Sequence, residues 1–430
     1  MDLLPLALFA VLMALNAPIA FAIAAGALLF FLDQQGLPLV IFPQRLMSAS
    51  GSFPLVAIPM FVLAGVVMNR AGITRRLLNL AEALVGHMPG ALAQMNVVLA
   101  TLMGFESGSG NADAAMQAKM LGTEMVRRGY AAPFAAAIVA ASAVITPIIP
   151  PGLGFVIYGY LANVSVGRLF LAGVVPGFML MASLMLVTHR IALRDGYKPL
   201  RPRFVSAGEL WKAVRDAGWA LTVPVFIVVG LRNGLFTPTE AGAVVAAYSL
   251  AVGFLAHREL KLSDLWPMLT EASLATASVM LIISAADAFG FYMTMEQVPA
   301  AAARLLGTLT SNPLAMLFLI NALLLVVGMF LESVAALIML TPILAAVGAA
   351  VGIDPVHLGL VIVLNITIGA ITPPVGTLMF IACGVLEVSV AKFSRAILPL
   401  LLAQLAVLAL LILFPPLVTF LPDLLMGPGR

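Results

Sequence analysis

Between residues 104 and 115 the chain reads GFESGSGNADAA, a cluster of hydroxyl, amide and carboxylate oxygens set among glycines. Glycine at 104, 108 and 110 lets the backbone turn tightly and present its carbonyls. Ser107, Ser109, Asn111 and Asp113 add side-chain oxygens. Donors of this kind ligate a small hard cation, while helix N-terminal amides beside them face an anion. A second stretch, TPIIPPGLG from Thr146 to Gly154, sets three prolines inside an apolar run. Proline removes a helical N–H and clashes with the preceding turn, at about 3 kcal/mol in a helix interior. A helix broken there leaves free carbonyls at the end of its first half, where the helix dipole is negative. Sodium suits those oxygens. The plainer alternatives are a loop that satisfies itself and a structural kink.

The motif has a twin. Shifted by 226 residues, Glu106-Ser107 falls on Glu332-Ser333, and Ile145-Thr146-Pro147 on Ile371-Thr372-Pro373. A two-residue deletion then aligns Val164-Ser165-Val166 with Val388-Ser389-Val390. The second break, ITPPVGTLMFIACG (371–384), lies downstream of a second polar patch, GMFLESVAA (328–336). Two related breaks, each preceded by a polar hairpin, predict two cation sites.

The elements that must hold these residues are membrane helices. The chain is 62% hydrophobic and 10% charged, against roughly 25% charged in soluble domains. Many apolar runs approach the roughly 20 residues that span a bilayer, and alternating barrel strands are missing. One cysteine, Cys383, excludes a disulfide framework, and four scattered histidines form no HExxH pair. No GxxxxGK loop is present, so the chain does not itself hydrolyse nucleotide. No nucleophile–base pair marks an enzyme.

Full spans are expected at 3–32, 54–69, 131–163, 170–189, 217–233, 239–256, 268–290, 356–388 and 397–421. The first run is read as one retained helix, interrupted at Asn16-Ala17-Pro18. Segments 91–126 and 313–351 read as hairpins. Limbs of about 15 residues reach roughly 22 Å, short of a core of about 30 Å, so the first is expected to be re-entrant. The basic stretch 189–216 is expected to be a cytoplasmic loop rather than a nucleic-acid patch, because membrane helices flank it. With that orientation, 17 of 22 Lys/Arg fall on the cytoplasmic side. The second hairpin then enters from the opposite face, and the two halves are inverted repeats, the architecture of secondary transporters. The expected organisation is a first repeat over 1–190 (arm 69–90, hairpin 91–126, broken helix 131–163), a linking region over 191–238, and a second repeat over 239–430 (arm 296–312, hairpin 313–351, broken helix 356–388). The arms are amphipathic and read as interfacial helices.

Other intramembrane polar residues are functional suspects. Glu106 and Glu332 hold equivalent repeat positions. Lys119 and Glu124 are expected to pair or snorkel, and Asp287 is an ion ligand, a proton relay or a cap. Glu240, after Thr237-Pro238-Thr239, reads as a helix-start cap. Tyr158, Asn163 and Asn365 could touch substrate or simply pack.

These residues resemble the large membrane subunit of tripartite ATP-independent periplasmic (TRAP) transporters, the DctM-like family. The likeness covers essentially the whole chain. It is carried by SGSGNAD (107–113), MVRRGY (125–130), PIIPPGLGFVIYG (147–159), FTPTEAGAV (236–244), GIDPVHLGL (352–360) and NITIGAITPPVG (365–376). The resemblance implies an all-α polytopic fold of two inverted repeats and an elevator motion. It also implies a sodium-driven importer of organic acids in the bacterial inner membrane, working with a small four-helix membrane subunit and a periplasmic substrate-binding protein. C4-dicarboxylates, sialic acid and other sugar or keto acids are the substrate class it implies, with sodium as coupling ion and no other cofactor. Carried over residue by residue, one sodium site involves Ser107, Gly108, Ser109, Asn111, Thr146, Pro147 and Pro150. The other involves Gly328, Gly369, Thr372, Pro373 and Gly376. Substrate contacts are expected from Ser109, Gly110, Asp113, Pro151, Tyr158, Glu332, Ser333 and Pro374. The chain departs from the family at Gly110 and Gly152, where serine is usual, at Thr146, where glycine is common, and at Glu332, where aspartate is usual. A separate small-subunit chain is expected, since no such segment precedes residue 1. A stand-alone sodium/carboxylate symporter of related architecture, and a channel or scaffold, are the competing readings.

Overall fold

The computed structural model describes residues 3–15, 17–34, 36–48, 51–106 and 108–427. The chain opens with α1 (Leu4–Ala14) and α2 (Ile19–Asp33), and this corrects the single span expected over 3–32. The two helices fold back to back: a methyl group at Gly26 of α2 would lie 2.8 Å from the Pro5 carbonyl of α1. Helices of 11 and 15 residues reach about 17 and 22 Å. Neither spans a core of about 30 Å, so residues 4 and 33 lie on the same side. Leu3 therefore moves to the face opposite the one a single span would give it.

Next come α3 (Ile41–Ser48) and α4 (Ala57–Arg70), then the arm helix α5 (Ile73–Val85). Apolar residues recur at Ile73, Leu77, Leu80 and Ala81 and are buried, while Arg75 and Asn79 face out. That stripe is the period of a helix lying on a surface. The first hairpin has α6 (Ala91–Gly104) as one limb. Its other limb runs from α7 (Gly110–Gln117) through a π-helical turn, Ala118–Gly122, to α8 (Thr123–Arg127). Glu124 pairs with Arg128 at 2.7 Å, not with Lys119. The broken helix follows as α9 (Ala132–Ala143) and α10 (Leu153–Leu161), with a cis Pro150-Pro151 bond in the gap.

Two long helices, α11 (Val166–Asp195) and α12 (Ala207–Arg232), absorb most of the basic stretch. Only 196–206 is loop, so the expected loop over 189–216 is corrected. α13 (Pro238–Ala251) starts with a capping box in which Thr237 and Glu240 satisfy each other's backbone amides, the cap read from the sequence. The second repeat runs α14 (Leu265–Met295), arm α15 (Val298–Gly307), hairpin α16 (Pro313–Phe330) and α17 (Ser333–Ala350), then broken helix α18 (Pro355–Gly369) and α19 (Thr377–Leu386). A cis Pro373-Pro374 bond lies in that gap. The last span is α20 (Val390–Leu413), not 397–421; α21 (Pro416–Met426) is a separate helix packed on α11. Among the described residues, eight helices are long and apolar enough to cross a membrane.

Packing relates the halves reciprocally. α7 packs on α19, and α17 on α10. α9 packs on α20, and α18 on α11; α4 packs on α13, and α14 on α2. Five crossings separate the two hairpins, counting α9–α10, α11, α12, α13 and α14. An odd number puts the hairpins on opposite faces, so the repeats are inverted. Buried polar side chains bridge elements inside this apolar block. Gln404 of α20 donates to the Ala141 carbonyl of α9 at 2.7 Å, and Gln94 of α6 to the Met185 carbonyl of α11 at 3.0 Å. Asn365 of α18 donates to the backbone and side-chain oxygens of Asn321 on α16. Asn365 is therefore a helix-to-helix fastener. Asn365→Leu strands the Asn321 side chain in apolar surroundings and is expected to destabilise by about 1 kcal/mol. The double change Asn321→Leu/Asn365→Leu should recover most of that loss, as thermal unfolding in detergent would show.

Candidate functional site

Each hairpin tip is pressed against its own repeat's break, and glycine makes the approach possible. A Cβ at Gly108 would stand 2.6 Å from the Pro151 carbonyl oxygen, and one at Gly110 would stand 2.9 Å from that of Ala143. In the second repeat, a Cβ at Gly369 would meet Gly328 Cα at 2.6 Å. The backbones of tip and break are thus in close approach, which a side chain at these positions would prevent.

A cavity of about 80 Å³ lies where the two tips and two breaks converge. Gly108, Ser109, Gly110, Asn111 and Pro147 line it from the first repeat, and Glu332, Ser333 and Thr367 from the second. Apolar walls come from residues such as Leu337, Val363 and Leu378. Residues at the N-termini of three helices reach this space, Gly110 of α7, Leu153 of α10 and Ser333 of α17, while α19 contributes the apolar Leu378, whose amide donates to the Ala370 carbonyl. Each helix N-terminus carries roughly half a positive charge and orphan N–H groups. Ser109 caps α7 by accepting from Ala112 N, and Glu332 caps α17 by accepting from Ala335 N at 3.1 Å. α10 has no side-chain cap. An anion held here meets positive dipole ends from both repeats.

Of the residues expected to act, Gly108, Ser109, Gly110, Asn111, Pro147, Glu332 and Ser333 meet at the cavity. Ser107 lies outside the described residues. Thr146 is buried behind the cavity, its hydroxyl 3.4 Å from the Ala100 carbonyl. Pro150 and Pro151 are buried in the first break, and Pro374 is exposed in the second. Asp113 is buried on α7 away from the cavity, since at 100° per residue it sits about 200° around from Asn111. Tyr158 donates to the Pro355 carbonyl at 2.9 Å, and its ring covers Gly359. It packs α10 on α18 and does not reach the cavity. Gly376 caps α19 without a side chain and folds onto the Ala370 carbonyl, beside Pro373. Thr372 donates to the Ile368 carbonyl at 2.8 Å and keeps lone pairs for a cation. Asp287 and Ser48 hydrogen-bond to one another, joining α14 to α3.

Two threonines were missed. Thr367 lines the cavity from α18, and Thr377, first residue of α19, has a buried hydroxyl oxygen with no hydrogen-bond partner among the described residues. A lone threonine in an apolar helix ordinarily bonds the carbonyl four residues back, as Thr367 does to Val363 at 2.7 Å. Only the neighbouring TPP signal marks either position.

The family model of the tripartite ATP-independent periplasmic transporter, DctM component, matches residues 6–417. The chain is 39% identical to the isethionate TRAP transporter permease protein DctMQ of Oleidesulfovibrio alaskensis, covering 96% of this chain and 65% of that one. It is 38% identical to the sialic acid TRAP transporter large permease protein SiaM of Vibrio cholerae, covering 96% of each. With the C4-dicarboxylate TRAP transporter large permease protein DctM of Pseudomonas aeruginosa it shares 38% identity over 88% of each chain. Among solved structures, the Alcanivorax borkumensis YdaH transporter superposes with a TM-score of 0.67 at 15% identity, over 99% of this chain and all of that one. That likeness concerns the fold alone. Sequence match and inverted-hairpin architecture agree: the chain belongs to the DctM family, the large permease component of tripartite ATP-independent periplasmic transporters.

Proposed function

We propose that this chain imports a small organic acid across the bacterial inner membrane, driven by sodium, by an elevator movement of the two hairpins and two broken helices. It would act with a small four-helix membrane subunit and a periplasmic substrate-binding protein. The convergence of three helix N-termini, drawn from both repeats, on one cavity carries the reading, because it favours an anion without requiring a fixed basic side chain. The cavity volume, about 80 Å³, compares with roughly 10–15 Å³ per water and suits a small carboxylate or sulfonate. Relatives named for isethionate, sialic acid and C4-dicarboxylates support an organic acid as the substrate. Sodium would lie between each tip and its break. The first site would use Ser107, Gly108, Ser109, Asn111 and the carbonyls of Thr146, Pro147 and Pro150. The second would use Gly328, Gly369, Thr372, Pro373 and Gly376, with Thr377 as a further oxygen.

Two sodium ions entering with a monoanion move one net charge, worth about 2.3 kcal/mol per 100 mV, or roughly fifty-fold accumulation. In proteoliposomes holding this chain and its small subunit, with binding protein outside, uptake of the bound organic acid is expected to fall at least about ten-fold when a potassium gradient replaces sodium. Uptake that is indifferent to the replacement rejects sodium coupling. Uptake by this chain alone, without binding protein, points instead to a stand-alone symporter.

A further inference from the structure

A second groove, sharing no lining residue with the first cavity, runs along α12 where it meets α5 and α13. Its polar end, with a volume of about 560 Å³, is lined by Arg76 of the arm α5, Arg215, Asp216, Gly218 and Trp219 of α12, and His257 after α13. An adjoining hollow adds Arg75, Asn79 and Glu259. Thr222 lines this polar end and also a wholly apolar slot of about 150 Å³ formed with Val223, Phe226, Val244, Val245 and Tyr248. Arg215 and Val223 are two turns apart on one helix, so the groove changes from basic to greasy over about 12 Å.

The charges at the polar end are uneven. Glu259 is held by Arg76 at 2.8 Å and approached by Arg75 at 3.8 Å. Asp216 is the other carboxylate facing the groove. Arg215 is exposed and makes no ion pair among the described residues. His257 Nδ1 lies 2.9 Å from the Ala71 carbonyl and therefore donates to it, while its buried Nε2 has no hydrogen-bond partner among the described residues. Trp219 and Tyr248 stand at the junction, with Tyr248 donating to the Trp219 carbonyl at 3.0 Å. Aromatic residues of this kind mark the headgroup level of a bilayer. The bias of Lys and Arg assigns this end to the cytoplasmic side.

We infer that this groove is a seat for one anionic phospholipid, its phosphate held by Arg215 and Arg76 and an acyl chain in the Val223–Val245 slot. The order of chemistries along α12 is that of a lipid, headgroup first and chain below. A soluble phosphate would use only the polar end. Basic pockets between helices on the cytoplasmic side are the usual place for such headgroups. Seated there, the lipid ties the arm α5 to α12 and α13.

The test uses the full-length chain in detergent with phosphatidylglycerol or phosphatidylcholine of the same acyl chains, read by native mass spectrometry and thermal unfolding. One phosphatidylglycerol is expected to remain bound through delipidation and to raise the unfolding midpoint; phosphatidylcholine should do neither. Arg215→Gln should lower phosphatidylglycerol occupancy about five-fold, the usual weight of one basic residue at the membrane surface. Val245→Trp, which fills the slot and leaves the charges in place, should lower it at least as much. Equal retention of the two lipids in the unaltered protein overturns the inference whatever the variants do. So does displacement of phosphatidylglycerol by millimolar inorganic phosphate with no effect of Val245→Trp, which would reveal a site for free phosphate. Loss of the bound lipid on adding the purified small membrane subunit overturns it too, since the groove would then be a protein interface.

Discussion

Gly376→Ala is expected to abolish uptake while Gly384→Ala, two turns along the same helix, leaves it intact. A methyl at Gly376 would lie 2.2 Å from the Ala370 carbonyl oxygen and 2.6 Å from its carbon, within the second break. Both are backbone atoms and cannot rotate aside as a side chain would. The backbone at 376 has φ −56° and ψ 132°, which any residue can adopt, so the demand is for space and not for torsional freedom. Making room would push Ala370 and Ile371 outward, and α19 with its end of the cavity would move with them. Insertion of one methyl into packed backbone costs about 1–3 kcal/mol. A shift of about 1 Å at a binding constellation is worth roughly a hundred-fold in rate. At Gly384 an added Cβ meets nothing within 4 Å. Alanine in that exposed helical position gains up to about 1 kcal/mol. Uptake measured beside fluorescence-detected chromatography separates the outcomes: both proteins should be monodisperse, with transport lost only in the first. Normal uptake by Gly376→Ala would mean that the break is pliable and that its shape does not set the site.

Glu332 supports a second large effect, because one side chain performs two separable tasks. Its carboxylate caps α17 through Ala335 N and also forms cavity wall. A fixed negative charge beside an anion's seat is unfavourable unless a cation is bound nearby. If it helps to hold sodium, Glu332→Gln should raise the sodium concentration for half-maximal uptake by about ten-fold or more, the weight of one charged interaction. Glutamine retains a carbonyl oxygen for the cap, so stability should hardly change. Glu332→Ala should show the same sodium defect and also lose about 1 kcal/mol of helix stability with the cap. Sodium titrations of uptake together with unfolding curves distinguish the two. A glutamine variant with unaltered sodium dependence would reduce Glu332 to a cap alone.

Much of the architecture was legible because the chain repeats itself. The offset of 226 residues aligned tip with tip and break with break, and proline chemistry fixed where each helix had to stop. The same logic failed over 3–32. Composition cannot distinguish one interrupted helix from two antiparallel ones; the packing of Gly26 on Pro5 does. The lining of the cavity was legible to the level of its two halves. What the sequence could not supply was the exchange between them, in which α7 leans on α19 and α17 on α10. Nothing local records it, and for that reason Thr367 went unnoticed and Tyr158 was overrated. The tyrosine is polar, intramembrane and near the break, as a ligand would be. Its hydroxyl is nevertheless taken up by Pro355, far along the chain.

The exchange has a consequence for biogenesis. Gly154, just past the first break, packs on Val363 and Leu337, and Gly110 lies against Leu378. All three partners belong to the second repeat, translated some two hundred residues later. At roughly 5–20 residues per second, the first break waits on the order of ten seconds or more for its cover. During that interval the faces of Gly154 and Gly110 that these side chains will cover stay open to lipid or the insertion machinery. The first half of this transporter is thus a nascent chain in need of shelter, and a ribosome stalled between the repeats would release a fragment marked for quality control.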